Sequence, residues 1–169
     1  MIKIIWYNFI RFVFVIFIQI ALINNIQVNS YLNAYIYVLF ILLLPFETPK
    51  WLMLILAFFT GLTMDFFLDT GGAHAAATTL MAFSRPTILK VVSARRDYEP
   101  GIRPIIKDLG FRWFFSYALI MVSIHHVSLF FIEVFKFSEM IYTLFRALLS
   151  ISFTLILLII SQYLFVKRD

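Results

Sequence analysis

Apolar residues fall in six blocks, at about 4–23, 32–46, 51–69, 72–92, 111–135 and 141–166, separated by short polar or turn-forming stretches. A helix needs roughly 20 residues to cross a hydrocarbon core of about 30 Å, and four blocks meet that length. The second holds only about fifteen residues between Tyr31 and Pro45, so it calls for local bilayer thinning or for help from uncharged flanks. In the fourth, Arg85 and Pro86 follow Gly72 after roughly 20 Å of helix. Either the helix continues past Pro86 with Lys90 snorkelling, or a short span gives way to an interfacial helix. Runs such as Ile151 to Ile160 are apolar almost throughout, unlike the alternating segments of about ten residues that build a membrane barrel. The pattern predicts an all-α, polytopic membrane protein with six transmembrane helices in one domain, 1–169.

Composition strengthens this reading. The chain is 63% hydrophobic and only 14% charged, with a mean hydropathy of +0.96, whereas soluble domains carry about a quarter charged residues. A water-soluble enzyme is excluded on that ground. The chain has no cysteine, which excludes a disulfide framework, a thiolate metal site and a cysteine nucleophile. The first block follows Lys3 but is interrupted by Arg11 and Gln19, and Asn24 to Asn29 offers no small-residue cleavage pattern; it is expected to stay as a helix.

Basic residues set the orientation. With the N-terminus inside, 11 of the 14 Lys and Arg fall on the cytoplasmic side, Lys136 falls outside, and Arg11 and Arg146 lie within spans. Both termini are then cytoplasmic. The loop at about 93–110 is the one long polar stretch, and with Arg85, Lys90, Arg95, Arg96, Arg103 and Lys107 it forms an expected basic cytoplasmic surface. Such a surface suits a solvated connector that attracts anionic lipid headgroups, or a docking face for a cytoplasmic partner. No phosphate-cradling glycine spacing occurs, and basic charge beside a membrane gives no reason to expect nucleic acid.

Ionisable groups within spans are expensive in lipid, so each needs a role. Gly61, Asp65 and Asp69 recur every four residues and share a helical face, with Gly72 and His74 opening the next helix. Asp65 suits a cap for that helix, a cation partner or a ligand group, and Asp69 suits a cap or turn. The small residues from Ala73 to Ala77 favour close helix approach, so the fourth helix is expected to be the buried one. On the fifth, His126, Phe130 and Glu133 are spaced by four and three and share a face that should look inward. Adjacent histidines lack the spacing of a metal site, so a hydrogen-bonded network is expected, with no metal and no cofactor. Arg146 is expected to snorkel or to pair with Glu133 or Asp65, and Arg11 to snorkel toward the cytoplasm.

These features together resemble the rod shape-determining MreD family. The resemblance rests on Gly61-Leu62 with Asp65, on Asp69-Thr70, Gly72 and His74-Ala75, on Arg85-Pro86, and on His125-His126 with Phe130 and Glu133; it departs from the family at Gly71, where a larger apolar residue is commoner. It implies a multi-pass protein of the bacterial inner membrane, acting in the cell-elongation and peptidoglycan-synthesis machinery with a single-span MreC-like protein and, indirectly, MreB and the RodA/penicillin-binding-protein pair. It also implies similarity to the substrate-binding subunits of energy-coupling-factor transporters. The expected function is therefore a non-catalytic membrane scaffold that binds partners. The alternative is a small-molecule binding subunit of such a transporter, with Asp65, His74 and His126 as its polar groups. An intramembrane aspartyl protease is disfavoured, because Asp65 and Asp69 lie on one helix rather than facing each other from two.

Overall fold

The computed structural model describes residues 2–23, 33–93, 102–134 and 139–165. These residues are 86% helical and contain no strand. In chain order the elements are α1 (Ile2–Ile18), a one-turn π-helical extension (Gln19–Ile23), a 3-10 turn (Ile36–Val38) running into α2 (Leu39–Leu42), α3 (Lys50–Leu68), α4 (Ala73–Val92), α5 (Ile106–Leu109), α6 (Phe111–Val134) and α7 (Met140–Phe165). Among the described residues, four helices are long and apolar enough to cross a membrane: α1 with its extension, α3, α6 and α7. The fourth block forms one helix through Pro86, ending at Val92, so the continuous alternative is the one observed. Its 20 residues correspond to roughly 30 Å, although its polar side chains make it less apolar than the other four.

α4 is the central helix, packed against α3 on one side and α6 on the other, with α7 beyond α6. Its buried positions include the small residues Ala73, Ala75, Ala77, Thr78 and Ala82, beside the larger His74, Met81, Arg85 and Ile88. Gly61 supplies the closest approach. A methyl group there would collide with the carbonyl of His74 and the backbone of Ala75, so only glycine lets α3 and α4 touch. Outward positions are large and apolar, among them Phe66, Phe83 and Ile141.

The second block differs from the sequence expectation. Instead of a regular span, Asn33 to Tyr35 carry no helix, and Ile36 to Leu42 make one 3-10 turn and one α-turn before a bend at Leu43 to Pro45. Ala34 to Leu42, and Leu44, are buried. This broken segment is threaded through the bundle between α1, α4, α6 and α7, with Tyr37 beside His74 at one end and Leu44 beside Arg85 at the other. Irregular backbone at membrane depth is tolerated only where protein encloses it and satisfies its polar groups.

Candidate functional site

Polar groups inside the bundle gather at four places. The first is the turn between α3 and α4. Asp69 closes α3 in the left-handed conformation (φ 55°), and Gly72 (φ 99°) precedes α4 without a side chain to cap it. Asp65, one turn back on α3, performs the capping. Its Oδ1 accepts from the His74 amide at 2.9 Å and from the Thr70 hydroxyl at 2.6 Å, and its Oδ2 accepts from the Ala75 amide at 2.8 Å. The Ala73 amide donates to the Thr70 carbonyl at 3.2 Å, so the exposed N–H groups of the first turn are matched. The negative carboxylate also lies at the favourable end of the α4 dipole. Asp69 itself is exposed.

The second place is a network around Tyr37, which sequence reasoning did not single out. Its hydroxyl lies 3.0 Å from His74 Nδ1, 3.1 Å from Thr78 Oγ1 and 2.6 Å from His125 Nε2, all fully buried. His125 Nδ1 is 3.4 Å from His126 Nδ1. The Val122 carbonyl, 3.0 Å from His126 Nδ1, only accepts, so that nitrogen carries a proton and in the neutral ring Nε2 accepts from Thr154 Oγ1 at 3.0 Å. The Tyr35 ring fills the space between the histidines, its centre 5.0 Å from that of His74 and 5.4 Å from that of His126. His74 Nε2 is buried without a hydrogen-bond partner. Among the described residues no group of three or more His, Asp or Glu is placed to share a metal ion.

The third place holds the two ends of the broken segment. At its start, Gln19 Oε1 accepts from the Ile36 and Tyr37 amides at 2.7 and 3.3 Å, while Gln19 Nε2 donates to the Ala34 carbonyl at 3.0 Å. From α7, Thr154 and Ser150 hydroxyls accept from the Tyr35 and Asn33 amides at 3.1 and 3.2 Å. At its end three successive carbonyls are taken up. Tyr117 donates to Leu42 at 3.2 Å, Arg11 donates to Leu43 at 2.8 Å, and Arg85 donates to Leu44. Arg85 Nε also donates to the Tyr117 hydroxyl at 2.7 Å. These are the carbonyls a helix end leaves orphaned, and two guanidinium groups there also complement the negative end of α2.

Arg85 therefore departs from its expected place on the basic cytoplasmic surface. It is 2% exposed, because the end of the broken segment needs a donor long and forked enough to reach both a carbonyl and a hydroxyl. Lys90, Arg103 and Lys107 are exposed, with Arg103 paired to Asp108 at 3.1 Å, while Arg95 and Arg96 lie outside the described residues.

The fourth place is at the rim. Glu133 and Arg146 pair at 3.5 Å, with side chains 20% and 22% exposed, and the Arg146 guanidinium lies 4.4 Å over the Phe130 ring. Phe130 in turn contacts the His126 ring at 6.0 Å between centres, so positions 126 and 130 look inward as expected, whereas Glu133, also expected to look inward, is an exposed residue because it lies at the end of the helix. The structure thus distributes the residues expected in one cluster over adjoining places, with His74 shared by the first two. Gly61, Asp65, Gly72 and His74 join across the α3–α4 turn, His126 belongs to the tyrosine–histidine network, and Glu133 with Arg146 stand at the rim. Sequence reasoning missed Tyr37, Thr78, Tyr117, Gln19, Ser150 and Thr154, whose signal was polarity inside apolar blocks. No protein-family model matches the chain, and neither a curated protein nor a solved structure is significantly similar to it.

Proposed function

We propose that the chain is a six-span protein of the bacterial inner membrane with both termini cytoplasmic, MreD-like, and a non-catalytic scaffold of the cell-elongation complex that binds an MreC-like single-span protein. The observation that carries this reading is where the interior polar groups spend their hydrogen bonds. Asp65, Gln19, Thr154, Tyr117, Arg11 and Arg85 all bind backbone groups of neighbouring elements, which suits a stiff bundle presenting its outer surface to partners. The space between His74 and His126 is filled by Tyr35, which favours the scaffold over the transporter-subunit alternative. Trp6 and Trp51 are 63% and 64% exposed, and both lie at the ends that the basic residues assign to the cytoplasm, where aromatic belts sit.

Affinity purification of the tagged full chain from native membranes in mild detergent, followed by mass spectrometry of proteins and small molecules, tests this. Recovery of a single-span MreC-like protein and cell-wall synthases is the expected result, lost with Asp65→Leu. Recovery of an ATPase module with a stoichiometric vitamin-like metabolite would overturn the scaffold in favour of transport.

A further inference from the structure

Between α1 and α7 the surface opens into a groove of about 550 Å³, within the size range of ligand sites. The broken segment forms its apolar floor through Ile36, Leu39 and Leu43, and Arg11, Arg103 and Lys107 line it as well. Two of its polar groups are incompletely matched, one an acceptor without a donor and the other a cation without an anion. Gln162 is 4% exposed, yet its Oε1 accepts no hydrogen bond. Arg11 is half-buried; it donates to the Leu43 carbonyl and to Asn8 Oδ1 at 3.2 Å and lies 4.7 Å over the Tyr7 ring. None of these is an anion, and among the described residues no carboxylate neutralises it. Arg103, also on the groove, pairs with Asp108.

A charge held in a membrane helix without a counter-ion is costly, and a buried acceptor without a donor is costly as well. One class of molecule answers both needs and also covers an apolar floor. We propose that this groove binds one anionic phospholipid with a hydroxyl-bearing headgroup. Its phosphate faces Arg11 and Lys107, a headgroup hydroxyl donates to Gln162 Oε1, and an acyl chain lies over Ile36 and Leu39. A free phosphate would leave that floor exposed, which is why the lipid is favoured. The inference rests on the membrane placement proposed above.

The test uses the purified full chain in detergent, incubated with phosphatidylglycerol or phosphatidylcholine and read by native mass spectrometry. One phosphatidylglycerol per chain should be retained, at least about 5-fold more than phosphatidylcholine, the factor one basic residue near a lipid surface contributes. Lys107→Glu and Gln162→Leu should each lower retention by a similar factor, and Gln162→Leu should do so without lowering lipid-free melting. Equal retention of the two lipids overturns the proposal, as does undiminished retention in both variants or displacement by inorganic phosphate. Should a variant fail to fold, the comparison of the two lipids on the unaltered chain still decides. A chain washed off membranes by carbonate would sink the membrane placement itself, whereas a carbonate-resistant chain without lipid preference sinks only this proposal.

Discussion

Replacing Arg85 with Met separates a buried anchor from a surface charge. Met has similar length and no donors, so Arg85→Met leaves the Leu44 carbonyl unmatched and removes the Nε bond to Tyr117. A hydrogen bond to a charged group contributes about 1.5–3 kcal/mol net, so two amount to roughly 3–6 kcal/mol. Relief from burying a cation returns part of that, leaving an expected loss of about 2–4 kcal/mol. At about 2–4 °C per kcal/mol for a chain of this size, melting in mild detergent should fall by roughly 5–15 °C. Trp113, stacked on Tyr117 with ring centres 5.1 Å apart, gives a local fluorescence readout of the same transition. Arg85→Lys should recover only part of the loss, because an ammonium cannot reproduce the fork. Combined with Tyr117→Phe, Arg85→Met should be non-additive by about 0.5–3 kcal/mol. A change within about 0.5 kcal/mol, the usual result on a surface, together with additivity, would refute the anchor and return Arg85 to the basic surface.

Asp65→Asn leaves one carbonyl oxygen where two carboxylate oxygens took three donors, and should cost about 1–2 kcal/mol by detergent melting, while Asp69→Asn, exposed and in a conformation Asn tolerates, should stay within about 0.5 kcal/mol. Equal effects at the two positions would contradict the capping role. Gly61→Ala drives a methyl into the His74 carbonyl and Ala75 backbone and should cost about 1–3 kcal/mol or more, seen as lowered melting and as faster proteolysis in the α3–α4 turn; an unchanged profile would mean the two helices are not in contact. For the rim pair, the cycle of Glu133→Gln and Arg146→Gln should give a coupling below about 1 kcal/mol, and a larger value would show that the pair is enclosed.

The long helices are legible because apolar runs of span length admit little else in lipid, and the central place of α4 follows from residues too small to serve any purpose but close packing. The Asp65 cap is legible for a similar reason, since a carboxylate one turn before a Gly-Gly turn has an obvious set of N–H groups to face. The broken segment is not legible. Fifteen apolar residues read the same whether they form a short helix or an enclosed irregular strand of backbone, because periodicity reports which side chains are buried and not who receives their amides. Those receivers lie far away in sequence. Ser150 and Thr154 are more than a hundred residues from the amides they accept, Asn33 and Tyr35, and no local pattern links them. Arg85 misleads for a related reason, because a positive charge next to a proline near a basic loop has the signature of a helix end at the membrane surface.

Once the broken segment is seen, the bundle has a different logic from a stack of greasy helices. In lipid the apolar contacts between helices compete with equally apolar tails, so they discriminate weakly among arrangements. An irregular backbone is more demanding, since each unmatched amide or carbonyl has no water to turn to. Satisfying the segment takes side chains from α1 with its extension, α4, α6 and α7, and each of those helices is fixed relative to the others by the groups it lends. α1 depends on this most. It packs chiefly against the broken segment, and Arg11 and Gln19, roughly 12 Å apart along the helix, hold the segment's end and start. The same hydrogen bonds that close the segment are therefore what hold α1 to the protein.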